Sequence, residues 1–414
     1  MPILFYGCLE MSVMKKVSHF TNTIRDSLSF RGNIPGLFIS GIIECSAWQM
    51  YDLIWQPYIL SLGASTPLIG LILSIYTMFN SGLQLVTGEL ADSVGRKTVM
   101  NWYYVFTITG LVFAVLAKNW WYILALNVLF GIADALEGPA FSPMMAESVP
   151  KEKMAVAMSL MTLIWGIPGF YGQAMGGYLA DMLGIRSVMY IILGAMIVAA
   201  LWFYFTTKET LKEKKPFKLS AVLKNIQGIA KPESHLVPFY IVSILDRFGW
   251  AINRGILVTL LTQAYGFSLT SIGILMTVEM IVMTVTSIPI GKALEKYSTK
   301  KGITLALVLN FLVFGGYALT SNYMILLVLQ AMKGITVGLW DAAIGLYQNK
   351  LVPEGERGKT FGNINSIKGL VSIPAPFIGA LLFGFIGFKG VFATSATIIG
   401  LALLTSTRLI EPEI

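Results

Sequence analysis

The sequence predicts an all-α integral membrane protein with twelve transmembrane helices arranged as two parallel six-helix repeats. Three observations support this fold class: the composition, the spacing of apolar runs and an internal repeat. Hydrophobic residues make up 55% of the 414 residues and charged residues only 13%, about half the charged share of soluble domains. This composition is typical of a chain that crosses a membrane many times.

Twelve apolar runs follow one another along the chain, and each can cross about 30 Å of hydrocarbon as a helix. They occupy residues 36–61, 67–87, 98–117, 120–146, 154–180, 186–206, 236–263, 269–291, 302–320, 322–348, 360–385 and 389–408. The runs predict the following division of the chain: an N-terminal tail (1–35), a six-helix domain (36–206), a linker (207–235), a second six-helix domain (236–408) and a C-terminal tail (409–414).

The two halves repeat each other at a constant offset of 203 residues. Pairs that keep this register are Gly63 and Gly266, Gly88 and Gly291, Asp92 and Glu295, Val149-Pro150 and Val352-Pro353, and Gly184 and Gly387. Both halves begin on the same side of the membrane because each contains six runs. The repeat is therefore parallel, with a pseudo-twofold axis along the membrane normal.

The basic residues predict the orientation. Twenty-three of the 30 lysines and arginines fall in the tails and loops of one side, and only Lys118, Arg186 and Lys389 fall on the other. Bases beside membrane spans mark the cytoplasmic side. We therefore expect a multi-pass protein of the cell membrane with both termini in the cytoplasm. The net charge of +8 is explained by this placement, so it does not indicate a nucleic-acid partner.

A short charged segment joins the second and third runs. It reads Gly-Glu-Leu-Ala-Asp-Ser-Val-Gly-Arg-Lys over residues 88–97, and its glycines predict a tight ten-residue turn. The segment resembles the loop between helices 2 and 3 of the major facilitator superfamily, written G-x-L-x-D-r-x-G-r-k. The matching residues are Gly88, Leu90, Asp92, Gly95, Arg96 and Lys97, while Ser93 stands where the family usually has a base.

The resemblance covers about residues 36–408 and implies the major facilitator fold and a secondary transporter that works by alternating access. It implies that the first, fourth, seventh and tenth helices line a central cavity. It also implies a gating role for Asp92, which contacts the start of the eleventh helix, near residues 360–363, when the cytoplasmic side is closed. We expect an acid at the same rim, such as Glu147, to hold Arg96.

Eleven ionisable residues lie inside the predicted spans, and nine of them fall on the four helices that the resemblance places around the cavity. Such residues cost about 2.5–3.5 kcal/mol each on insertion scales and usually face a cavity or a partner. Seven are acids and four are bases, so some carboxylates have no base to pair with and favour the protonated form.

These acids are the candidates for proton coupling: Asp134, Glu137, Glu44, Asp52, Glu279 and Asp341. Asp134 and Glu137 are our first choice, because residues three apart share one face of a helix and two neighbouring acids disfavour double ionisation. Glu44 and Arg247 occupy equivalent positions in the two halves, and we expect them to form a bridge between the domains.

Five charged residues remain within the predicted spans, and all of them except Lys368 are candidates for lining the substrate cavity, together with polar and aromatic residues near them. The candidates are Arg254, Arg247, Asp246, Lys333, Trp48, Gln49, Tyr51, Trp250, Asn253 and Trp340. The fifth run is rich in glycine, which permits close helix contact. It resembles the G-x-x-x-G-P-x-x-G-G signature of the family's drug antiporters, although Gln173-Ala174 replaces the Gly-Pro pair.

The function that we expect is proton-coupled export of a small organic compound or drug. The first alternative is proton-coupled uptake of an anionic metabolite, which Arg247, Arg254 and Lys333 favour. The second, from another class, is a non-transporting receptor on a transporter scaffold. Without a Gly-rich Lys-Ser/Thr nucleotide motif or a nucleophile–base spacing we expect neither ATP hydrolysis nor any other enzyme activity. We expect no cofactor, no metal site and a monomer, whose partners are the substrate, protons and the lipid bilayer.

Overall fold

The computed structural model describes residues 32–217, 236–352 and 357–411. The helices of the N-terminal half are α1 (Ile34–Ser61), α2 (Thr66–Val94), α3 (Arg96–Val115), α4 (Trp120–Glu147), α5 (Met154–Gly169), α6 (Gly172–Leu183) and α7 (Ile185–Thr206). Those of the C-terminal half are α8 (Val237–Arg254), α9 (Leu257–Thr259), α10 (Leu269–Lys296), α11 (Thr299–Leu319), α12 (Tyr323–Leu351), α13 (Arg357–Ser372) and α14 (Ala375–Ser406). The predicted tail up to residue 31, the linker from 218 to 235 and residues 412–414 lie outside the described residues.

Three of the predicted runs are not single straight helices. The fifth run breaks between α5 and α6, two residues after Pro168, whose ring removes a backbone donor. The seventh run breaks after α8 and ends in a π-helical turn, Leu260–Ala264. The eleventh run breaks before α14, which also contains the twelfth run beyond a kink at Gly387. Gly387 has φ 66° and ψ −178°, a conformation that glycine adopts without steric cost.

Eight segments of the described chain are long and apolar enough to span a membrane on their own. One of them, Gly362–Ser406, contains two successive runs. The 28-residue α1 is not among them, because Glu44, Gln49, Asp52 and Gln56 make it more polar. The fifth run is divided into pieces that are too short, and the main piece of the seventh run, α8, carries three charged residues. The crossings with the weakest apolar signal are therefore those that carry polar side chains or breaks.

The first and last helix ends of each half lie on one side of the bundle, which we call the terminal side. Asn33, at the start of α1, exchanges two hydrogen bonds with the backbone of Lys208, just beyond α7 (2.9 and 2.7 Å). Lys97, at the start of α3, donates to the carbonyl of Thr207 at 2.7 Å. In the C-terminal half, Lys300 at the start of α11 donates to the carbonyl of Thr407 at 2.9 Å. We call the opposite side the far side.

The two halves touch closely on the far side, where α6 meets α10 and α2 meets α14. The positions of Gly177, Gly273 and Gly70 lie so close to backbone carbonyls of the other half that a Cβ atom would collide with them. Those carbonyls belong to Leu269, Gln173 and Pro376. Glycine is therefore required at these contacts for steric reasons, as expected for small residues at membrane helix interfaces.

Hydrogen bonds also join the halves on the far side. The Asp181 carboxylate, at the end of α6, accepts from the backbone N–H groups of Leu269 (3.2 Å) and Thr270 (2.7 Å) and from the Thr270 hydroxyl (2.6 Å). These are the first N–H groups of α10, which have no partner within the helix, and an acid there is also favoured by the helix dipole. Asp181 thus caps a helix of the opposite half.

The terminal side is more open than the far side. Gly88 of α2 and Gly291 of α10, both near the terminal ends of their helices, have open space where a Cβ atom would point. Ionisable residues between the halves, including Asp52, Arg254 and Asp341, are exposed. The structure is therefore closed on the far side, with a central space that is accessible from the terminal side.

We predict that Asp181→Ala weakens the far-side contact. Loss of a helix cap costs about 1 kcal/mol, which changes the ratio of closed to open molecules roughly fivefold. The measurement is the distance distribution between spin labels at the exposed far-side positions Lys118 and Leu319, which should broaden toward longer distances. Thr270→Val is the control, because it removes one hydroxyl donor and leaves both N–H groups capped. An unchanged distribution in Asp181→Ala would show that the cap does not hold the halves together.

Candidate functional site

A space between the halves consists of two adjoining cavities of about 540 Å³ and about 330 Å³. Asp52, Leu73 and Arg254 line both of them, so the two form one lumen. The larger cavity is lined mainly by the C-terminal half and the smaller mainly by the N-terminal half. Volumes of this size are typical of sites for small organic molecules.

The wall from the N-terminal half carries acids. Asp134 and Glu137 of α4 both line the smaller cavity, as expected for residues on one helix face. The Tyr76 hydroxyl of α2 donates a hydrogen bond of 2.5 Å to the Asp134 carboxylate. Among the described residues, the only lysine or arginine that lines this cavity is Arg254, which comes from the other half.

Glu44 lies behind this wall and is 4% exposed. Its two carboxylate oxygens accept hydrogen bonds from the hydroxyls of Tyr103 (2.6 Å) and Tyr104 (2.8 Å) of α3. The indole N–H of Trp48 donates to the Tyr103 hydroxyl at 3.0 Å. This structure, which is open on the terminal side, does not contain the predicted bridge between Glu44 and Arg247: tyrosines of its own half satisfy Glu44, and Arg247 is exposed in the larger cavity.

Aromatic rings cover much of the same wall. Trp48, Tyr51 and Phe130 contact one another edge to face, with ring centroids 4.7–5.6 Å apart. Trp55 and Trp165 also line the smaller cavity. Edge-to-face contacts of this kind fix ring positions and leave ring faces available for flat or cationic groups.

Within the described residues, all the bases that line the lumen come from the C-terminal half. Lys333 of α12 forms an ion pair of 2.8 Å with Glu279 of α10, and its ammonium group lies 5.2 Å from the centroid of the Trp250 ring. Asp246 is buried and accepts a hydrogen bond from Asn310 at 3.2 Å. The other predicted residues that line this cavity are Arg247, Arg254, Asn253, Trp340 and Asp341.

All ten residues predicted to line the substrate cavity line the lumen. Of the six predicted proton-coupling acids, two line neither cavity: Glu44 lies behind the wall, and Glu279 is paired with Lys333. Tyrosines and an asparagine that complete the site were not predicted: Tyr76, Tyr103, Tyr104 and Asn310. Lys368, the one intramembrane charge that the sequence analysis leaves outside both groups of candidates, also lines the larger cavity.

The Gly88–Lys97 segment is more helical than predicted. α2 continues to Val94 and α3 begins at Arg96, so the link is Gly95 alone, with φ 110°. Arg96 pairs with Asp92 at 3.3 Å and with Glu147 at 2.9 Å. Glu209 accepts hydrogen bonds from the N–H groups of Arg96 and Lys97 (3.0 and 3.1 Å) and so caps α3.

Comparison with known proteins identifies the family. The family model described as Major Facilitator Superfamily matches residues 37–237 and 239–413. The chain belongs to the major facilitator superfamily. Its members are transporters, and the all-helical fold with two repeated halves is the fold of this superfamily.

Curated relatives of this transporter are drug efflux proteins at low identity. The multi-drug resistance efflux pump PmrA homolog of Lactococcus lactis subsp. lactis (strain IL1403) is 23% identical over 348 residues, which cover 82% of this chain and 83% of the relative. The multidrug resistance protein MdtG of Citrobacter koseri is 24% identical over 338 residues, covering 80% and 82%.

Solved structures of the superfamily share the fold. The nucleoside transporter NupG superimposes with a TM-score of 0.74 at 15% identity, covering 90% of this chain and 98% of NupG. A bacterial homolog of the human lysosomal transporter Spinster, in an inward-facing and occupied conformation, gives 0.73 at 16% identity, covering 91% and 96%.

We predict that the Lys333–Glu279 pair is structural. Removing one partner of a buried pair costs about 3–5 kcal/mol, whereas replacing both by apolar residues is often neutral. The two side chains are 12% and 16% exposed, so we expect a smaller loss, about 1–3 kcal/mol, for Lys333→Met or Glu279→Met alone. The double variant should recover most of it. The stability of the single and double variants is measured by thermal unfolding in detergent. Lys292→Met is the control, because Lys292 is exposed outside the lumen. Additive losses in the double variant would contradict a pairing role.

Proposed function

We propose that this transporter exports a small organic compound in exchange for protons, by alternating access. The observation that carries the proposal is the acidic wall of the smaller cavity, where Asp134 and Glu137 face a lumen to which the described residues of their own half contribute no base. Export agrees with the names of the curated relatives, which are multidrug efflux proteins.

The proton sites follow from the cost of charge in a membrane interior. A carboxylate without a base partner is expensive there and takes up a proton more readily than in water. Asp134 and Glu137 lie on one helix face, so ionisation of one disfavours ionisation of the other. Tyr76 holds the Asp134 carboxylate in place through its hydrogen bond. A cationic group that enters the smaller cavity then competes with a proton for the same acids.

Alternating access requires a second state that is closed on the terminal side. We assign the terminal side to the cytoplasm, because the bases outside the spans collect there. In the present structure the far side is closed by the Asp181 cap and the glycine contacts. The opposite closure is proposed to bring Asp92 to the start of α13.

We predict that Asp92→Asn raises the fraction of molecules that are open on the terminal side, because this contact is lost. The measurement is the distance between labels placed on the terminal rims of the two halves. An unchanged distance in the variant would contradict this role of Asp92.

A second candidate is uptake of an anionic metabolite together with protons. Arg247 and Arg254 favour it, since both are exposed in the larger cavity. The pairing of Lys333 with Glu279 removes the third base that the sequence offered for anion binding. A transport assay in proteoliposomes separates proton-coupled export from proton-coupled uptake. A pH gradient of either sign is imposed, and the direction in which cationic and anionic dyes move is measured.

We predict that Asp134→Asn and Glu137→Gln each abolish gradient-driven movement of substrate while leaving exchange of labelled for unlabelled substrate nearly intact. The reason is that a neutral side chain still permits both conformations but no longer carries the proton. We expect at least a tenfold loss of accumulation in proteoliposomes. Glu295→Gln is the matched control, since Glu295 is an exposed acid outside the lumen. Accumulation at the normal rate in both acid variants would exclude these residues as the coupling site.

A further inference from the structure

Asp52 and Arg254 face the same lumen from opposite halves of the transporter. Each lines both cavities and is exposed. Asp52 lies one helical turn before Gln56, whose side-chain amide donates to the backbone carbonyl of Arg254 at 3.1 Å. The two charged side chains therefore flank the contact between α1 and α8, where the cavities join.

These opposite charges do not neutralise each other in this structure. The ion pairs among the described residues are Arg96 with Asp92 and Glu147, and Lys333 with Glu279. Neither Asp52 nor the guanidinium group of Arg254 has a hydrogen-bond or ion-pair partner in the described part of the chain. Both charges thus remain free to bind groups that enter the lumen.

The two walls differ in charge as a whole. Within the described ranges, the wall from the N-terminal half presents three acids and no base: Asp52, Asp134 and Glu137. On the other wall, the pairing of Lys333 with Glu279 leaves Arg247, Arg254 and Lys368 facing two acids, Asp246 and Asp341. The cluster of contacting rings formed by Trp48, Tyr51 and Phe130 lies on the acidic side, whereas Trp250 on the other side already carries the Lys333 ammonium group on its ring.

A ligand with a single charge can satisfy only one of these walls. An organic cation pairs with the acids but leaves Arg254 unpaired, and an organic anion does the reverse. Charges without partners are costly where water is restricted, and complementary charges decide which partner is accepted. A ligand that carries one positive and one negative charge compensates both walls.

We propose that the substrate is a zwitterion: an aromatic compound with a cationic group at one end and a carboxylate or similar anion at the other. The cationic, aromatic end rests on the acidic wall near Asp52, where ring faces favour cations. The anionic end binds Arg254, whose planar guanidinium suits a carboxylate. This inference depends on the proposed function only in taking the lumen as the place where cargo binds.

The experiment uses three dyes that share one xanthene skeleton and differ in charge. Rhodamine 110 is a zwitterion with a free carboxylate, rhodamine 123 is its cationic methyl ester, and fluorescein is an anion. Equilibrium binding to the purified full chain in detergent is read by fluorescence polarisation. We expect rhodamine 110 to bind at least tenfold more tightly than both of the others. Equal or tighter binding of the ester or of fluorescein, or binding of none of the three, overturns the proposal.

Two variants assign the ends of the ligand. Arg254→Gln should weaken rhodamine 110 binding about tenfold while rhodamine 123 binds as tightly as before or more tightly, because a charge of the same sign is removed; retained binding of rhodamine 123 also shows that the variant is folded. Asp52→Asn should weaken rhodamine 110 binding while fluorescein binds as tightly as before or more tightly. Lys292→Gln and Glu295→Gln are the controls, because each removes one exposed charge of the same sign away from the lumen. Equal loss of all dyes in Arg254→Gln contradicts the assignment of the anionic end.

The outcome is independent of proton coupling, because no gradient is applied. A zwitterion preference without gradient-driven transport would contradict the proposed function alone. Gradient-driven export of the cationic ester in preference to the zwitterion would overturn this inference alone.

Discussion

A charge inside a membrane needs water or a partner, and this constraint determines where the lumen of the transporter lies. The helices that carry Asp52, Asp134, Arg254 and Asp341 turn these residues toward the space between the halves. Lipid contact would expose them to hydrocarbon at a cost of several kcal/mol each. The acids of one half and the bases of the other then give the lumen two chemically different walls. We propose that coupling and substrate choice both follow from that difference.

The closure of the far side depends on a second constraint, the distance between helix backbones. Glycines at positions 177 and 273 let α6 and α10 approach until a Cβ atom would meet a carbonyl. At that distance the Asp181 carboxylate reaches the first N–H groups of α10. Steric fit and hydrogen bonding thus act at the same contact, so a change in either should alter the balance between open and closed molecules.

The sequence predicted the features that depend on periodicity and on single charged residues. The twelve runs, the parallel repeat and the helices that carry the lumen charges are of this kind. Residues that act through pairing were missed or misplaced, because pairing depends on how helices rotate against each other. Tyr103 and Tyr104 are neutral members of an apolar run, and nothing in their spacing indicates that they bind Glu44. For the same reason the equivalence of Glu44 and Arg247 in the repeat suggested a contact that the structure does not contain.

The central claim is that the acids of the N-terminal half exchange protons for the cargo. Proton release on ligand binding tests it most directly: a saturating amount of the tightest-binding dye is added to purified protein in weakly buffered detergent while the pH is followed. The account predicts acidification in the unmodified transporter and none in the Asp134→Asn/Glu137→Gln double variant. Saturation of the unmodified transporter with dye, without any release of protons at a pH of about 6 to 8, would contradict the account.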